Sequence, residues 1–351
     1  METMKEIVNP LLKWYDGHAR VLPWREEPTP YRVWVSEIML QQTRVEAVKP
    51  YFEIFLKELP SIRDLAEVPE DRLMKLWEGL GYYNRVRNMQ KAAKELTEKC
   101  GGEMPADYDR IRELPGIGSY TAGAIASIAF GIPRPAVDGN VLRVMSRVQK
   151  SYEDIMKQSV RRKMEEQVQA AIPKERAGDF NQSLIELGAI VCVPNGAPKC
   201  GECPLKDLCK AHEDGVELEL PKKAPPKKRR IEDRTVLVLI SDNKAALKKR
   251  PPKGLLAGLY ELPNLDGKYD SEWVLEYVKN LGLSPIRIQP LPEAKHIFSH
   301  IEWHMAGFAV KIEEPDQEPE GFFFVEKAQM EETYSIPAAF GAYTEYFKHR
   351  F

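Results

Sequence analysis

Residues 114–122, Leu114-Pro-Gly-Ile-Gly-Ser-Tyr-Thr-Ala122, decide how the first half of this 351-residue chain folds. Gly116 and Gly118 permit a tight turn after a polar segment, and small apolar residues then continue as a helix to Phe130. Backbone N–H groups at such a helix start point outward, where the helix dipole stabilises a phosphate. The stretch predicts two helices joined by an anion-binding turn, and a plain corner between two helices is the alternative.

Outward from this turn, the pattern of the chain changes near residue 220. Helical periodicity dominates residues 1 to about 216, whereas short β-rich runs follow at 235–240 and 305–310 with one helix at 271–281. A chain of 351 residues exceeds the usual size of a single core. We therefore predict an all-helical domain at 1–216, a basic, proline-bearing linker at 217–233 and an α+β domain at 234–351.

Four of the five cysteines lie in one 18-residue window: Cys192, Cys200, Cys203 and Cys209. The chain starts METMKEIVNPLLKWY, without an apolar signal core, so we expect reduced thiols and not disulfides. Only Cys200 and Cys203 form a Cys-x2-Cys pair, which favours an iron–sulfur cluster over a zinc ribbon. Cys100 stands apart and is interpreted as an incidental residue at a helix end.

Asp138, in Val137-Asp-Gly-Asn140, precedes a helical run and could simply cap it. A cysteine cluster about fifty residues after an aspartate, preceded by Pro-Gly-Ile-Gly, resembles the order in the endonuclease III superfamily of DNA glycosylases. The resemblance implies that residues 114–122 form a helix–hairpin–helix that binds the DNA backbone. It also implies a six-helix part at about 29–130 and an iron–sulfur part at about 1–28 and 131–216.

Three further motifs resemble the MutY family of adenine glycosylases: Leu22–Arg25 (LPWR), Trp34–Thr43 (WVSEIMLQQT) and Trp77–Tyr83 (WEGLGYY). With the cysteine window, the resemblance covers about 200 residues. Bifunctional members of the superfamily carry a lysine at the position of Tyr120, which attacks the sugar and leads to strand cleavage. Tyr120 has no amine, so the resemblance implies base removal without an efficient lyase step.

Breaking an N-glycosidic bond requires a proton on the leaving base and an ionised carboxylate beside the cationic sugar. Glu37 is the candidate acid and lies on a helix that begins at Thr29 and Pro30; an ordinary surface glutamate is the alternative. By resemblance, Glu37 would protonate adenine N7 and Asp138 would stabilise the sugar cation. Tyr120 and Asn140 would position these two groups.

The resemblance also assigns contacts to DNA. Adenine must leave the base stack to reach these carboxylates, so residues must wedge into the vacated space. Gln42 and Tyr82 match the family's intercalating positions, although a tyrosine pair beside glycine is commonly loop packing. Trp24 and Arg25 would line the adenine pocket, and Gln182 is a weaker candidate for a base contact.

For the cysteine window, the resemblance implies a structural 4Fe-4S cluster bound by Cys192, Cys200, Cys203 and Cys209. The loop between the first two cysteines has seven residues, where the family usually has six. An extra residue in this Pro/Gly-containing loop can bulge outward without moving the sulfurs. The cluster would hold lysines of its loop near DNA phosphates.

The second domain resembles a Nudix fold at Gly254–Pro263 (GLLAGLYELP). A Nudix hydrolase needs glutamates on the following helix to hold magnesium, but Lys279 and Asn280 stand at these positions. We therefore expect recognition and not hydrolysis. The segment Phe298-Ser299-His300 matches a motif by which the family senses 8-oxoguanine, with Ser299 making the key hydrogen bond.

We expect a monofunctional glycosylase that excises adenine mispaired with 8-oxoguanine or guanine in double-stranded DNA. The alternatives are another mismatch-base glycosylase of the superfamily, a non-catalytic DNA-damage sensor, or an active nucleotide pyrophosphatase fused to a DNA-binding module. No apolar run reaches the length of a membrane span. We expect a cytoplasmic, nucleoid-associated monomer whose linker could contact repair or replication proteins.

Overall fold

The computed structural model describes residues 2–225 and 228–350. Pro226 and Lys227, which fall in the predicted linker, lie outside the described residues. The chain forms two compact units, Met1–Glu67 with Asn84–Pro225 and Val68–Tyr83 with Pro226–Phe351. Residues 68–83 thus group with the second unit, although the sequence placed them inside the helical domain. Among the described residues, no helix is long and apolar enough to cross a membrane.

The first unit is helical. Across both units, the α-helices of the described residues are α1 Glu2–Glu6, α2 Val8–His18, α3 Pro23–Glu26, α4 Pro30–Leu40, α5 Val45–Glu58, α6 Ile62–Glu67, α7 Glu70–Leu76, α8 Asn84–Cys100, α9 Tyr108–Glu113, α10 Ser119–Ala124, α11 Gly139–Val148, α12 Gln158–Ala171, α13 Ala177–Ile190, α14 Lys210–Glu213, α15 Ser271–Asn280, α16 Lys327–Glu332 and α17 Gly341–Arg350. Helix α10 continues as a π-helix over Ile125–Ala129, so the predicted run to Phe130 is helical but not uniformly α-helical.

Capping residues explain where helices α4 and α11 begin. Thr29 caps α4 by accepting a hydrogen bond from Arg32 N, and Pro30 occupies the first turn. The apolar residues that recur at helical spacing on this helix are all buried: Tyr31, Trp34, Val35, Ile38 and Met39. Asp138 caps α11 through the backbone N–H groups of Asn140 and Val141. Both helices therefore start at the residues that the sequence indicates.

The hydrophobic core beside the cysteine window joins distant parts of the chain. Apolar residues of α1 and α2 pack with residues between Val137 and Leu205, and Cys192, Cys203 and Cys209 lie against this core. The first 18 residues and the segment that follows Val137 therefore stabilise each other.

The second unit contains a sheet of seven strands in the described part of the chain. The strands are β1 Arg230–Ser241, β2 Lys244–Lys249, β3 Tyr260–Glu261, β4 Asn264–Asp266, β5 Pro285–Ile297, β6 Ile301–Ile312 and β7 Phe323–Glu326. The order is β3-β2-β1-β6-β5, with β4 paired to β1 and β7 to β2. Helix α15 covers one face and α17 the other, so the α+β prediction is confirmed.

The connector between the domains is shorter than the predicted linker at 217–233. Residues Glu217–Glu219 form a 3-10 turn, Leu220 is buried, and Ile155 N donates a hydrogen bond to Lys222 O. Strand β1 already begins at Arg230. Arg147 explains part of the shorter connector, because its Nε donates hydrogen bonds to the carbonyl oxygens of Glu217 and Leu220 at 3.0 Å each.

Candidate active site

One open pocket of the first unit brings together most of the predicted site. Its lining includes eight candidates from five separate parts of the sequence: Trp24, Arg25, Glu37, Gln42, Tyr120, Asp138, Asn140 and Gln182. Helix α4 contributes Glu37, the start of α10 contributes Tyr120, and the start of α11 contributes Asp138 and Asn140. Among the described residues that line this pocket, none is a lysine.

Glu37 is a buried acid. Only 8% of the residue is exposed, and its Oε2 accepts a hydrogen bond of 2.6 Å from the Tyr120 hydroxyl. Burial raises the pKa of Glu37 to about 7, because the charged form loses its hydration, and the negative charge of Asp138 acts in the same direction. The Tyr120 hydroxyl opposes the rise. Glu37 can therefore carry a proton near neutral pH, which an exposed glutamate cannot.

Asp138 has a different environment. Its Oδ1 accepts hydrogen bonds of 2.8 Å from Asn140 N and Val141 N, and its Oδ2 accepts one of 2.7 Å from Asn140 Nδ2. Burial raises the pKa of Asp138, and these three donors offset part of the rise because they favour the ionised form. The two carboxyl groups of the pocket thus differ in the donors that surround them.

A buried ion-pair network, which the sequence did not reveal, holds Arg25. Glu186 is fully buried on α13 and binds Arg20 Nε at 2.7 Å and Arg25 Nη2 at 2.8 Å. Burial would raise the pKa of Glu186, but the hydrogen bonds from Arg20 and Arg25 dominate and lower it to about 2. The only signal in the sequence was a glutamate on an otherwise apolar stretch of helix.

Arg143 is a second residue that the sequence analysis missed. It lies three residues after Asn140 on α11 and donates from Nη2 to Asn140 Oδ1 at 2.8 Å and to Gly188 O at 2.7 Å. Its Nε also donates to Cys192 O at 2.8 Å. Arg143 therefore joins the amide that holds Asp138 to the start of the cysteine loop.

The turn at residues 114–122 needs one glycine for its shape. Gly116 has a φ of +78°, and a Cβ there would lie 2.6 Å from Asn88 Cβ. Gly118 has extended backbone, φ −94° and ψ −178°, and a Cβ there would meet nothing within 4 Å. The expectation that both glycines permit the tight turn therefore holds for Gly116, while Gly118 leaves the N-terminus of α10 uncovered.

Four predicted DNA-contacting residues belong to the second unit and do not line the pocket described above. The Tyr82 hydroxyl lies 3.3 Å from Ser299 Oγ, and Tyr82 has a left-handed φ of 48°. The ring of Phe298 packs edge-on against His296 and Trp303. His300 O accepts a hydrogen bond of 3.0 Å from Arg230 N. Phe298, Ser299 and His300 thus form the short loop between β5 and β6.

The four clustered cysteines line a second pocket of the first unit, together with Arg147, His212 and Glu217. The four cysteines are free thiols. Burial raises the pKa of Cys203 to about 12 and that of Cys200 to about 11. Arg147 Nη1 donates to Cys192 Sγ at 3.2 Å. The ligand atoms of Cys200, His212 and Glu217 also lie within 4.8 Å of one another.

Comparison with known proteins identifies the class first. Residues 35–170 match the model of the HhH-GPD superfamily of base excision DNA repair proteins, and residues 235–346 match a NUDIX domain model. The structure of a thermostable thymine-DNA glycosylase is 28% identical, with a TM-score of 0.54 over 61% of this chain and 98% of that one. The helical fold and the pocket thus define a glycosylase of base excision repair.

Curated relatives narrow the class. The adenine DNA glycosylase of Rattus norvegicus is 34% identical over 86% of this chain and 70% of its own length. That of Homo sapiens is 34% identical over 87% and 67%, and that of Buchnera aphidicola subsp. Baizongia pistaciae is 36% identical over 83% and 82%. The chain therefore belongs to the adenine DNA glycosylase family, and the predicted resemblance is confirmed.

Proposed function

We propose that this adenine DNA glycosylase removes adenine opposite 8-oxoguanine or guanine in double-stranded DNA and does not cleave the strand. The observation that carries the proposal is the pair of unlike carboxyl groups in one pocket. Glu37 is buried with a pKa near 7, and Asp138 accepts three N–H hydrogen bonds. One group can donate a proton while the other stays ionised, as cleavage of an N-glycosidic bond requires.

In the proposed reaction, Glu37 transfers its proton to adenine N7. The bond between adenine N9 and sugar C1′ then breaks, and its electron pair leaves with the neutral adenine. Asp138 stabilises the cationic sugar on the opposite side, held in place by Asn140. Water adds to C1′, its proton returns to Glu37, and the product is an abasic site with a C1′ hydroxyl. Tyr120 keeps Glu37 oriented through the 2.6 Å hydrogen bond.

The absence of a lysine among the described pocket-lining residues supports a monofunctional enzyme. Strand cleavage by a glycosylase requires an amine that forms a Schiff base with the sugar. Tyr120 occupies the position where an amine would be needed, and the nearest cations of the pocket are arginines, which do not deprotonate.

The pocket wall supports binding of an extruded base. Trp24 is buried and packs edge-on against Phe52 at 5.4 Å between ring centroids, and Arg25 is fixed by Glu186. We propose that these residues bound the adenine site, with Gln182 as a further hydrogen-bonding group. Gln42 and Tyr82, which both have left-handed backbone, would enter the base stack at the position that adenine leaves. The amides at the start of α10 would bind a DNA phosphate beside Gly118.

The second unit supports recognition of the base opposite adenine. Guanine accepts hydrogen bonds at N7, whereas 8-oxoguanine carries a hydrogen on N7 and an oxygen on C8. The hydroxyl groups of Ser299 and Tyr82 can accept from that N7–H or donate to that oxygen. Lys279 and Asn280 are exposed at the end of α15, where a Nudix hydrolase needs carboxylates. We propose that this unit reads the lesion and hydrolyses nothing.

We propose that Cys192, Cys200, Cys203 and Cys209 hold a 4Fe-4S cluster. The four residues fit this group because they line one pocket, form no disulfide and carry sulfur atoms that bind iron as thiolates. A bound cluster would cross-link the loop. Arg147, which contacts Cys192 Sγ, would offset part of the negative charge of the cysteine thiolates. The seven-residue loop between Cys192 and Cys200 does not prevent this gathering.

We propose that the main partner of this protein is its substrate, double-stranded DNA with adenine opposite 8-oxoguanine. We also propose that the protein acts as a monomer in the cytoplasm, at the nucleoid. Residues 221–234 keep the basic character that could attract repair or replication proteins.

Four substrates test the proposal. The full-length protein is incubated with duplexes that hold A opposite 8-oxoguanine, A opposite G, T opposite G, or thymine glycol, with alkali added or withheld. We expect excision of adenine only, with strand breaks mostly after alkali. Thymine excision would instead support another specificity of the superfamily, breaks without alkali would contradict monofunctional action, and binding without excision would indicate a damage sensor.

A further inference from the structure

The segment Val68–Tyr83, here called the inserted segment, packs in the second unit although first-unit residues flank it in the sequence. It consists of α7 and a loop that carries Tyr82. We propose that residues 334–336 of the second unit set the position of Tyr82 through this segment, with Glu78 and Ser335 as positioning residues for discrimination of 8-oxoguanine from guanine. This inference rests on the proposed function, which assigns lesion recognition to Tyr82 and Ser299.

Glu78 is the first anchor. Its Oε1 accepts a hydrogen bond of 2.7 Å from the backbone N–H of Ile336, and its Oε2 binds Lys75 Nζ at 2.5 Å. Lys75 Nζ also donates to Tyr334 O at 3.1 Å. The Glu78 and Lys75 side chains are only 30% and 14% exposed, so these charge-assisted bonds are partly shielded from water.

Ser335 is the second anchor and is almost fully buried, at 1% exposure. Its hydroxyl donates to Met74 O at 3.2 Å and lies 3.4 Å from the Tyr83 hydroxyl. Its own carbonyl accepts a hydrogen bond of 3.1 Å from Tyr260 N, which ties residues 334–336 to strand β3. Ser335 therefore contacts the inserted segment on both sides of Tyr82's loop.

Asp71, near the start of α7, adds a weaker attachment. Its carboxylate binds Lys249 Nζ at 3.0 Å and the Tyr260 hydroxyl at 3.2 Å. Both side chains of the ion pair are about half exposed, so we expect it to contribute little energy.

The loop between Glu78 and Tyr82 is suited to transmit a displacement. Gly79, Gly81 and Tyr82 all have left-handed backbone, with φ of 95°, 67° and 48°. Trp77 is fully buried, and its Nε1 donates to Gly81 O at 3.0 Å. This conformation leaves the Tyr82 side chain 49% exposed with its hydroxyl 3.3 Å from Ser299 Oγ. A shift at Glu78 thus moves Tyr82 relative to Ser299.

The test compares full-length Glu78→Ala, Glu78→Gln and Ser335→Ala with the control Glu332→Ala, an exposed position three residues before Ser335. Single-turnover excision of adenine is measured opposite 8-oxoguanine and opposite guanine. We expect Glu78→Ala and Ser335→Ala to lower the ratio of the two rates by about fivefold or more, while the control keeps it. Glu78→Gln can still accept from Ile336 N and should lose less.

A double variant separates positioning from general loosening. Tyr82→Ala should lower the same ratio, and Tyr82→Ala with Glu78→Ala should lower it no further, because Glu78 acts through Tyr82. Losses that multiply in the double variant, or an unchanged ratio in Glu78→Ala, would overturn the inference.

Hydrogen–deuterium exchange of residues 77–83 gives a readout that does not depend on the substrate. We expect faster exchange in Glu78→Ala and Ser335→Ala than in Glu332→Ala, and equal exchange would overturn the inference. A wild-type protein without any preference for 8-oxoguanine would instead refute the proposed lesion specificity, and the exchange result would still decide whether residues 334–336 hold the loop.

Discussion

At the scale of single residues, the pocket depends on how two carboxyl groups are solvated. Glu37 is buried with one hydroxyl partner, and Asp138 is held by three N–H donors. Desolvation raises the pKa of both groups, but the three donors of Asp138 favour its ionised form and offset part of that rise. The proposed acid and the proposed anion thus line the same pocket but have different hydrogen-bond partners.

The rate of excision should follow the protonation of Glu37. With a pKa of about 7, the protonated fraction falls as pH rises above 7, so the single-turnover rate should fall up to about tenfold per pH unit there. Towards low pH the rate should also fall once Asp138 becomes protonated. Rates between pH 5 and 9, with DNA binding measured alongside, check this. A rate that stays constant from pH 7 to 9 would contradict the role of Glu37 as the acid.

The same pKa shift predicts a stability change. The pKa of Glu37 is raised from 4.5 to about 7, so its contribution to stability is fully present below pH 4.5 and is lost as pH rises through 7. Glu37→Gln avoids the buried charge and should be more stable than wild type at pH 8, by at most about 3 kcal/mol. We expect this advantage to shrink by pH 5. Thermal unfolding measures it, with exposed Glu26→Gln as control; an advantage that is equal at both pH values would refute the shift.

At the scale of elements, two helix starts combine a structural role with a proposed chemical one. The start of α11 holds Asp138 as its cap, and the start of α10 presents backbone amides after Gly118. Each position has an ordinary structural explanation in the sequence, and the proposed chemical roles are compatible with it because a helix N-terminus both needs and orients polar groups.

Two substitutions of Asp138 should separate its roles. Asn also caps helices, so Asp138→Asn should keep α11 and DNA binding but lose adenine excision by about 100-fold or more, since the charge is gone. Asp138→Ala should lose both excision and about 1 kcal/mol of stability. Single-turnover kinetics and thermal unfolding measure the two effects. Near-normal excision by Asp138→Asn would exclude the proposed electrostatic role.

The turn at residues 114–122 offers a matched pair of glycines. Gly116→Ala places a Cβ 2.6 Å from Asn88 Cβ on left-handed backbone, so we expect a loss of about 1–3 kcal/mol in unfolding free energy. Gly118→Ala meets no neighbour within 4 Å and should cost far less stability. Denaturant unfolding of both variants tests this, and equal losses would show that the turn does not require a left-handed residue.

At the scale of the whole molecule, the cysteine window joins both ends of the first unit's sequence. Cys192, Cys203 and Cys209 lie against the core that α1 and α2 share with residues 137–205. Arg143 connects the carbonyl of Cys192 to Asn140 in the candidate active site. Loss of a group bound by these cysteines should therefore lower the stability of the first unit and not only that of the cysteine loop.

Cys203→Ser should remove the broad absorption near the 400 nm region that we expect of an iron–sulfur protein, and should lower the melting temperature. Cys100→Ser is the matched control, because Cys100 lies outside the cysteine pocket and contacts Arg110. Absorption spectra and thermal unfolding of the two variants test whether Cys203 binds the cluster. Retained absorption in Cys203→Ser would remove it from the ligand set.

The linear order of residues was enough to predict the helical and α+β halves, the helix starts at Thr29 and Asp138, and the family. These features depend on local capping chemistry and on the period of apolar residues, which a linear pattern contains. The motif residues could therefore be found before their neighbours were known.

Four features depend on how the chain folds in space: the raised pKa of Glu37, the burial of Glu186, the link through Arg143 and the membership of residues 68–83 in the second unit. Glu37 and Asp138 are 101 positions apart, and Glu78 and Ile336 are 258 apart. Desolvation and hydrogen bonding act through space between such groups, so a linear pattern contains the residues but not the environment that gives them their chemistry.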